Sequence, residues 1–287
     1  MHTHIRQHTG QYTGQHISPH ASSHASPHAS PKTRQPMRRA VRLAMHRPMR
    51  QLIALLTLGS AAIASAAPTC QATAPAVPPT VVELYTSEGC SSCPPADQWL
   101  STLKGRPDVL PLAFHVNYWD YLGWRDRFAS AEATDRQQTL GRASGGGGVY
   151  TPQVLAGGRD WRGWPRLPAA TAVPSPVALT LVREGDIVTA QIDAKATSAA
   201  RLAGYWAVTE DQHLSKVRAG ENSGETLRHD AVVRLYKPVA AWAAGSPQTL
   251  QLQVSRGEPA FPRRVVFVVT DAQTQRPLQA VALSCPA

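Results

Sequence analysis

Val81-Val82-Glu83-Leu84-Tyr85-Thr86-Ser87-Glu88-Gly89-Cys90-Ser91-Ser92-Cys93-Pro94-Pro95-Ala96-Asp97, residues 81–97, is the stretch on which the reading of the fold turns. Its first six residues have the β-branched and aromatic composition of a strand, stopped by Ser87-Glu88-Gly89. Cys90 and Cys93 follow with two residues between them, and Ala96–Lys104 then puts Ala96, Trp99, Leu100 and Leu103 on one side of a helix. A thiol between a strand and a helix start has its thiolate stabilised by the helix dipole and by free backbone N–H groups. In that arrangement Cys90 is the expected nucleophile and Cys93 the thiol that resolves a mixed disulfide. The two prolines after Cys93 moderate this, because proline suits only a first helical turn. They move the helix start toward Cys93 or Pro94, leave Asp97 in the first turn, and weaken the dipole's hold on Cys90, while Glu88 nearby disfavours a thiolate further.

Outward from there, Val109–Val116 reads as a second buried strand and Trp124–Leu140 as a helix. Gly145–Gly148 is a break, and Val149–Leu155 is a third extended segment ended by the turn Gly157-Gly158. This alternation predicts an α/β domain over residues 80–170. After the prolines at 165, 168, 174 and 176 the pattern changes. Val177–Val182 and Ile187–Ile192 alternate apolar and polar residues across Glu184-Gly185-Asp186, a hairpin signal. Extended runs follow at Leu202–Val208, Ala231–Tyr236, Leu250–Val254, Val265–Thr270 and Leu278–Leu283, which predicts an all-β, sandwich-like domain over 174–287.

Upstream, residues 67–79 carry four prolines and read as an extended lead-in. The chain of 287 residues has a formal charge of +10, but residues 1–66 hold eight of its 29 Lys and Arg and no Asp or Glu. From Ala67 onward 21 basic residues face 19 acidic ones, a net of +2, which gives no reason to expect a nucleic-acid partner. Arg47 and Arg50 precede the apolar run Leu52–Ile63, which ends in Ala64-Ser65-Ala66-Ala67-Pro68. That is the pattern of a secretory signal peptide cleaved near Ala66, with an apolar run too short to span a bilayer. The expectation is a periplasmic or secreted protein with no stable membrane insertion after cleavage. Residues 1–46 hold eight of the 11 histidines, either a metal-binding tract or sequence upstream of a true start at Met37, Met45 or Met49.

Four cysteines remain downstream of the signal, an even number suited to an oxidising compartment. Pairing Cys70 with Cys285, near the two ends of the mature chain, is the simplest use of both. Two cysteines at this spacing also make half a zinc site. The remaining ligands, His115, His213, His229, Cys70 and Cys285, show no second paired spacing, so no metal is expected. The aromatic run Asn117-Tyr118-Trp119-Asp120-Tyr121 follows a strand, and Asp120 is either a proton relay for Cys93 or a helix cap. Glu221, Asn222 and His229 form a polar site or, by the turn chemistry of Asn222-Ser223-Gly224, only a turn and strand.

The runs VVELYTSEGCSSCPPAD (81–97), AFHVNYWDYLGWRDRFAS (113–130), VYTPQVLAGG (149–158) and, more weakly, GENSGETLRHDAVVR (220–234) resemble the bacterial exported family called domain of unknown function 1223. The resemblance covers most of residues 80–287 and implies a thioredoxin-like fold, with no well-established substrate. The α/β domain would then be thioredoxin-like, with Thr151-Pro152 as the cis-proline loop facing the cysteines and the Thr151 backbone pairing with an extended peptide. The function so implied is thiol–disulfide exchange by Cys90 and Cys93 on protein thiols or disulfides of the cell envelope, without a cofactor. Two alternatives stay open: a non-enzymatic envelope protein in which the cysteine pair only staples a loop, and a copper- or zinc-handling protein using both thiolates with His115.

Overall fold

Val81, Val82, Leu84 and Tyr85 are all fully buried, so the strand that opens the 81–97 stretch is covered on both faces, as an apolar run without alternation requires. The computed structural model describes residues 69–143, 148–169, 172–195 and 199–285; the signal peptide and His-rich leader expected over 1–66 lie outside the described residues. Its first elements are β1 (Thr69–Thr73), β2 (Thr80–Thr86), α1 (Pro94–Thr102), β3 (Val109–His115), α2 (Ala131–Ala143), β4 (Gln153–Ala156) and β5 (Arg159–Asp160). There follow β6 (Val177–Glu184), β7 (Ile187–Ala194), β8 (Arg201–Glu210), β9 (His213–Lys216) and β10 (Thr226–His229). The last are β11 (Val232–Ala243), β12 (Gln248–Gln253), β13 (Arg263–Asp271) and β14 (Pro277–Leu283).

An eight-stranded sheet runs β14-β13-β8-β11-β3-β2-β4-β5, a four-stranded sheet runs β1-β6-β7-β12, and β9 pairs with β10. Among the described strands β2–β3 and β3–β11 pair in parallel and the other pairs are antiparallel. The expected α/β thioredoxin-like domain followed by an all-β, sandwich-like domain is therefore overturned. The described chain is mostly β, 45% strand against 12% helix, with two α-helices. The physical reason is edge pairing. A parallel pair β2–β3 does not end at β3, because Val232 of β11 pairs with Ala113 and carries the sheet on into β8, β13 and β14. Strands from 80–170 and from 174–287 thus share one sheet, and helices cover only part of it.

The helix expected over Trp124–Leu140 is shorter and later. A 3-10 turn, Asp120–Leu122, is stopped by Gly123 at φ 89°, a conformation that suits glycine. The helix then starts where Ser130 Oγ accepts the Ala133 N–H at 3.1 Å, a side-chain cap.

Three apolar cores result. Val177, Leu179 and Leu181 of β6 and Val188, Ala190 and Ile192 of β7 pack on Leu202, Trp206, Phe267 and Val281 of the large sheet. α1 contributes Ala96, Trp99 and Leu100 against Val82, Leu84 and Val154. α2 contributes Ala133 and Leu140 against Tyr85, Leu112, Phe114 and Tyr205. Within this last core β2 buries a carboxylate. Glu83 Oε1 accepts from Tyr205 Oη at 2.6 Å and Arg136 Nη2 at 2.6 Å, and Oε2 accepts from Tyr85 Oη at 2.8 Å and Arg136 Nε at 3.1 Å. Burial raises the Glu83 carboxyl, but the Arg136 charge and these donors outweigh it and hold the group below its ordinary value. A disulfide between Cys70 and Cys285 ties β1 to the end of β14 across a sequence separation of 215.

Candidate functional site

Cys90 and Cys93 are joined by a disulfide, with their Cα atoms 5.4 Å apart. The loop from β2 to α1 is wound tightly enough to set this distance: Cys90 N bonds Ser87 O at 3.2 Å and Cys93 N bonds Cys90 O at 3.2 Å. The loop packs closely at Gly89, where a Cβ would lie 3.0 Å from Trp119 Cβ and 3.3 Å from Trp119 O. Both cysteines are buried, while Ser91 and Ser92 between them are exposed. Cys93 is the N-cap of α1, and Pro94 and Pro95 occupy its first positions. Proline has no N–H, so two of the donors that a helix start normally offers are missing. The N–H groups of Ala96 and Asp97 are spent on Cys93 O, at 2.9 and 3.1 Å. Stabilisation of a thiolate by this helix end is correspondingly small.

The segment after β9 closes over the cysteine loop. Asn222 Nδ2 donates to Glu88 O at 2.9 Å and to Cys90 O at 3.0 Å, and Ser91 N donates to Glu221 Oε2 at 2.9 Å. The turn Gly220–Gly224 has the chemistry expected of it, with Gly224 N bonding Val217 O at 2.9 Å, and this turn is what aims Asn222 at the loop.

Beneath the loop lies a buried polar cluster. Asp97 is 5% exposed, His115 1% and His229 2%, and one ligating atom from each lies within 4.8 Å of the other two. His115 Nδ1 sits 2.7 Å from Asp126 Oδ2, and His229 Nε2 sits 3.3 Å from Glu88 Oε1, ion-pair distance without hydrogen-bond alignment. Glu88 Oε2 accepts from Trp124 Nε1 at 2.7 Å, and Asp97 Oδ2 accepts from Thr86 Oγ1 at 3.0 Å. Burial raises the Asp97 carboxyl against the pull of His229 and His115. Burial also raises Asp126, but the His115 charge and hydrogen bond, helped by the N–H groups of Glu88 and Phe128, bring it down to about 2.

Thr151 and Pro152 reach the same region. Their peptide bond is cis, and Trp119 Nε1 donates to Thr151 Oγ1 at 2.7 Å while its Cβ lies against Gly89. Gln137 of α2 fixes the segment from behind, its Nε2 bonding Tyr150 O and Gln153 Oε1, each at 2.8 Å. Asp120 is part-exposed and accepts the Asp126 N–H at 3.2 Å. The carboxylate one helical turn from Cys93 is Asp97, on the same helix.

The fold and site together define a mostly β protein with a vicinal cysteine pair closed over a buried His and carboxylate cluster. The chain belongs to the protein family of unknown function called DUF1223, whose model matches residues 81–270. It is similar to the crystal structure of protein AGR_C_4864 from Agrobacterium tumefaciens, at 28% identity and a TM-score of 0.54, covering 71% of this chain and 93% of that one. It also resembles HBP35 of Porphyromonas gingivalis in fold, at 15% identity and a TM-score of 0.51, covering 74% of this chain and 76% of the other. No curated protein matches the chain. Two disulfides are compatible with an exported protein, and no helix among the described residues is long and apolar enough to cross a membrane.

Sequence reading missed the buried cluster as a unit. Its members come from the cysteine loop, α1, β3, the segment before α2, and β10, so no spacing announces it. The available signal was a histidine inside the apolar run Val109–Val116 and an acidic residue one turn into an otherwise apolar helix face.

Proposed function

We propose that this is an exported thiol–disulfide exchange protein of the cell envelope, with Cys90 and Cys93 as the redox pair and protein thiols or disulfides as its partners. The observation that carries the reading is the closed disulfide at the start of α1, bridged by exposed Ser91-Ser92, with a buried carboxyl one turn behind it. A partner thiolate attacks Cys90 Sγ, the sulfur–sulfur bond breaks, and its electron pair passes to Cys93 Sγ. The partner's second thiolate then attacks its own sulfur in the mixed disulfide and releases Cys90. The partner dithiol is oxidised by two electrons, the pair is reduced, and two protons move from the partner thiols to the cysteines. The reverse sequence reduces a partner disulfide. In this reading the backbone of Thr151, whose hydroxyl accepts from Trp119 next to Gly89 of the cysteine loop, pairs with an extended partner segment.

Burial of both sulfurs and the Asn222 contacts favour a second reading, in which the pair only staples the loop. A redox titration decides between them. A potential above about −300 mV, with Cys90 alkylated first after mild reduction, supports exchange. A potential below about −300 mV with neither thiol reactive overturns it.

A further inference from the structure

Three carboxylates are buried behind the cysteine loop, and no Lys or Arg bonds to any of them among the described residues. Asp97 is held by Thr86 Oγ1, Glu88 by Trp124 Nε1, and Asp126 by the N–H groups of Glu88 and Phe128 and by His115. Two histidines stand among them, with ring centroids 5.0 Å apart and Phe128 packed on both at 5.2 and 5.5 Å. The cluster thus gathers three carboxylates and two imidazoles in one buried, aromatic-lined place, where buried polar groups need partners. Three ring nitrogens of the pair are left without hydrogen-bond partners, His115 Nε2 and both Nδ1 and Nε2 of His229.

His115 turns Nδ1 to Asp126 Oδ2 at 2.7 Å, which leaves its Nε2 free to ligate, and His229 turns Nε2 toward Glu88 Oε1 at 3.3 Å without a hydrogen bond. This is the outer-shell arrangement by which carboxylates orient histidines that bind a metal. Asp97 supplies the third ligand, and the three ligating atoms span no more than 4.8 Å. Two imidazoles and a carboxylate suit a borderline divalent cation such as zinc, which takes three protein ligands and leaves one position open.

We propose that Asp97, His115 and His229 form a buried site for one divalent transition-metal ion, zinc by its donor set, with Asp126 and Glu88 orienting the two histidines. The site is independent of the sulfurs, since it is assembled while Cys90 and Cys93 are bonded to each other.

The test is metal content of the full chain made in zinc-supplemented medium and purified with its disulfides intact. The eight histidines of residues 1–46 are changed to Ser in a parallel chain, so that zinc on the leader is counted separately. One tightly held zinc is expected in that chain and in its Cys90→Ser/Cys93→Ser version. It is expected to be lost in His229→Gln and Asp97→Asn, and kept in His213→Gln, whose ring faces Glu210 instead. Asp126→Asn weakens binding about 10- to 100-fold. Cobalt loaded into the leader-substituted chain gives a d–d spectrum without a thiolate charge-transfer band, a reading that needs no variant at the site to fold. No retained zinc and no such spectrum, or zinc equally retained by folded His229→Gln and Asp97→Asn, overturns the proposal. Loss of zinc on removing only the cysteines also overturns it, because the thiols would then be the ligands.

Discussion

Arg136→Met probes how α2 is pinned to the sheet that supports the site. Arg136 is 7% exposed and Glu83 3% exposed, so the substitution leaves a buried carboxylate with only two phenol donors, Tyr85 and Tyr205. It also removes the guanidinium from over Tyr205, 4.1 Å from the ring centroid, and its bond to Tyr236 Oη. Removing one partner of a buried ion pair costs about 3–5 kcal/mol, and that is the loss expected at pH 7 in urea unfolding. Adding Glu83→Gln to Arg136→Met removes the stranded charge and restores about 2 kcal/mol. The pH profile carries the sharper test. In the wild type the folded-state carboxyl lies below its ordinary value of 4.5, so its contribution is present above 4.5 and lost as pH falls through the folded value. In Arg136→Met burial, the largest influence on the group, is opposed only by the Tyr85 and Tyr205 hydrogen bonds and lifts the folded value above 4.5, so stability is instead lost as pH rises through it. The gap between the two proteins is therefore widest near neutrality and narrows in acid. A loss under about 1 kcal/mol, or a gap that is the same from neutral to acid pH, would refute the ion pair as the pin of α2.

Asn222→Ala leaves Glu88 O without its side-chain donor and Cys90 O with only the Cys93 N–H, and costs about 1–3 kcal/mol; reduction of the Cys90–Cys93 bond by dithiothreitol, followed by alkylation over time, becomes faster. An unchanged rate would mean that these bonds do not guard the pair. Cys70→Ser/Cys285→Ser opens a loop of sequence separation 215 and lowers stability by about 2–5 kcal/mol, read as a drop in Tm without reductant. Reactivity at Cys90 and Cys93 stays the same in that variant, because the bond joins β1 to the end of β14.

Local signals in the chain were legible and long-range pairing was not. The strand at 81–86, the helix after the double proline and the hairpin of Val177–Val182 with Ile187–Ile192 all show in composition and period, and all form. A parallel bridge from Val232 to Ala113 has no local signature, and it turns a separate α/β unit into one end of a long, mostly antiparallel sheet. Strands β9 and β10 were unread because each has four residues and lies beside turn chemistry. At the site, the spacing of Cys90 and Cys93 is explicit. Asn222 reads as a turn residue, which it is, and nothing in its neighbours says that the turn is aimed at Cys90 O. His115 and His229 read as isolated histidines because the chain between them is what folds them together.

The clasp over the cysteine loop has a consequence for biosynthesis. Asn222 lies 132 residues after Cys90, so a chain emerging from its N-terminus presents both thiols long before their cover exists. At about 5–20 residues per second that interval is about 7–26 s, during which the pair has no cover. The bond between Cys90 and Cys93 is thus easiest to make before residues 221 and 222 dock, and their arrival encloses it.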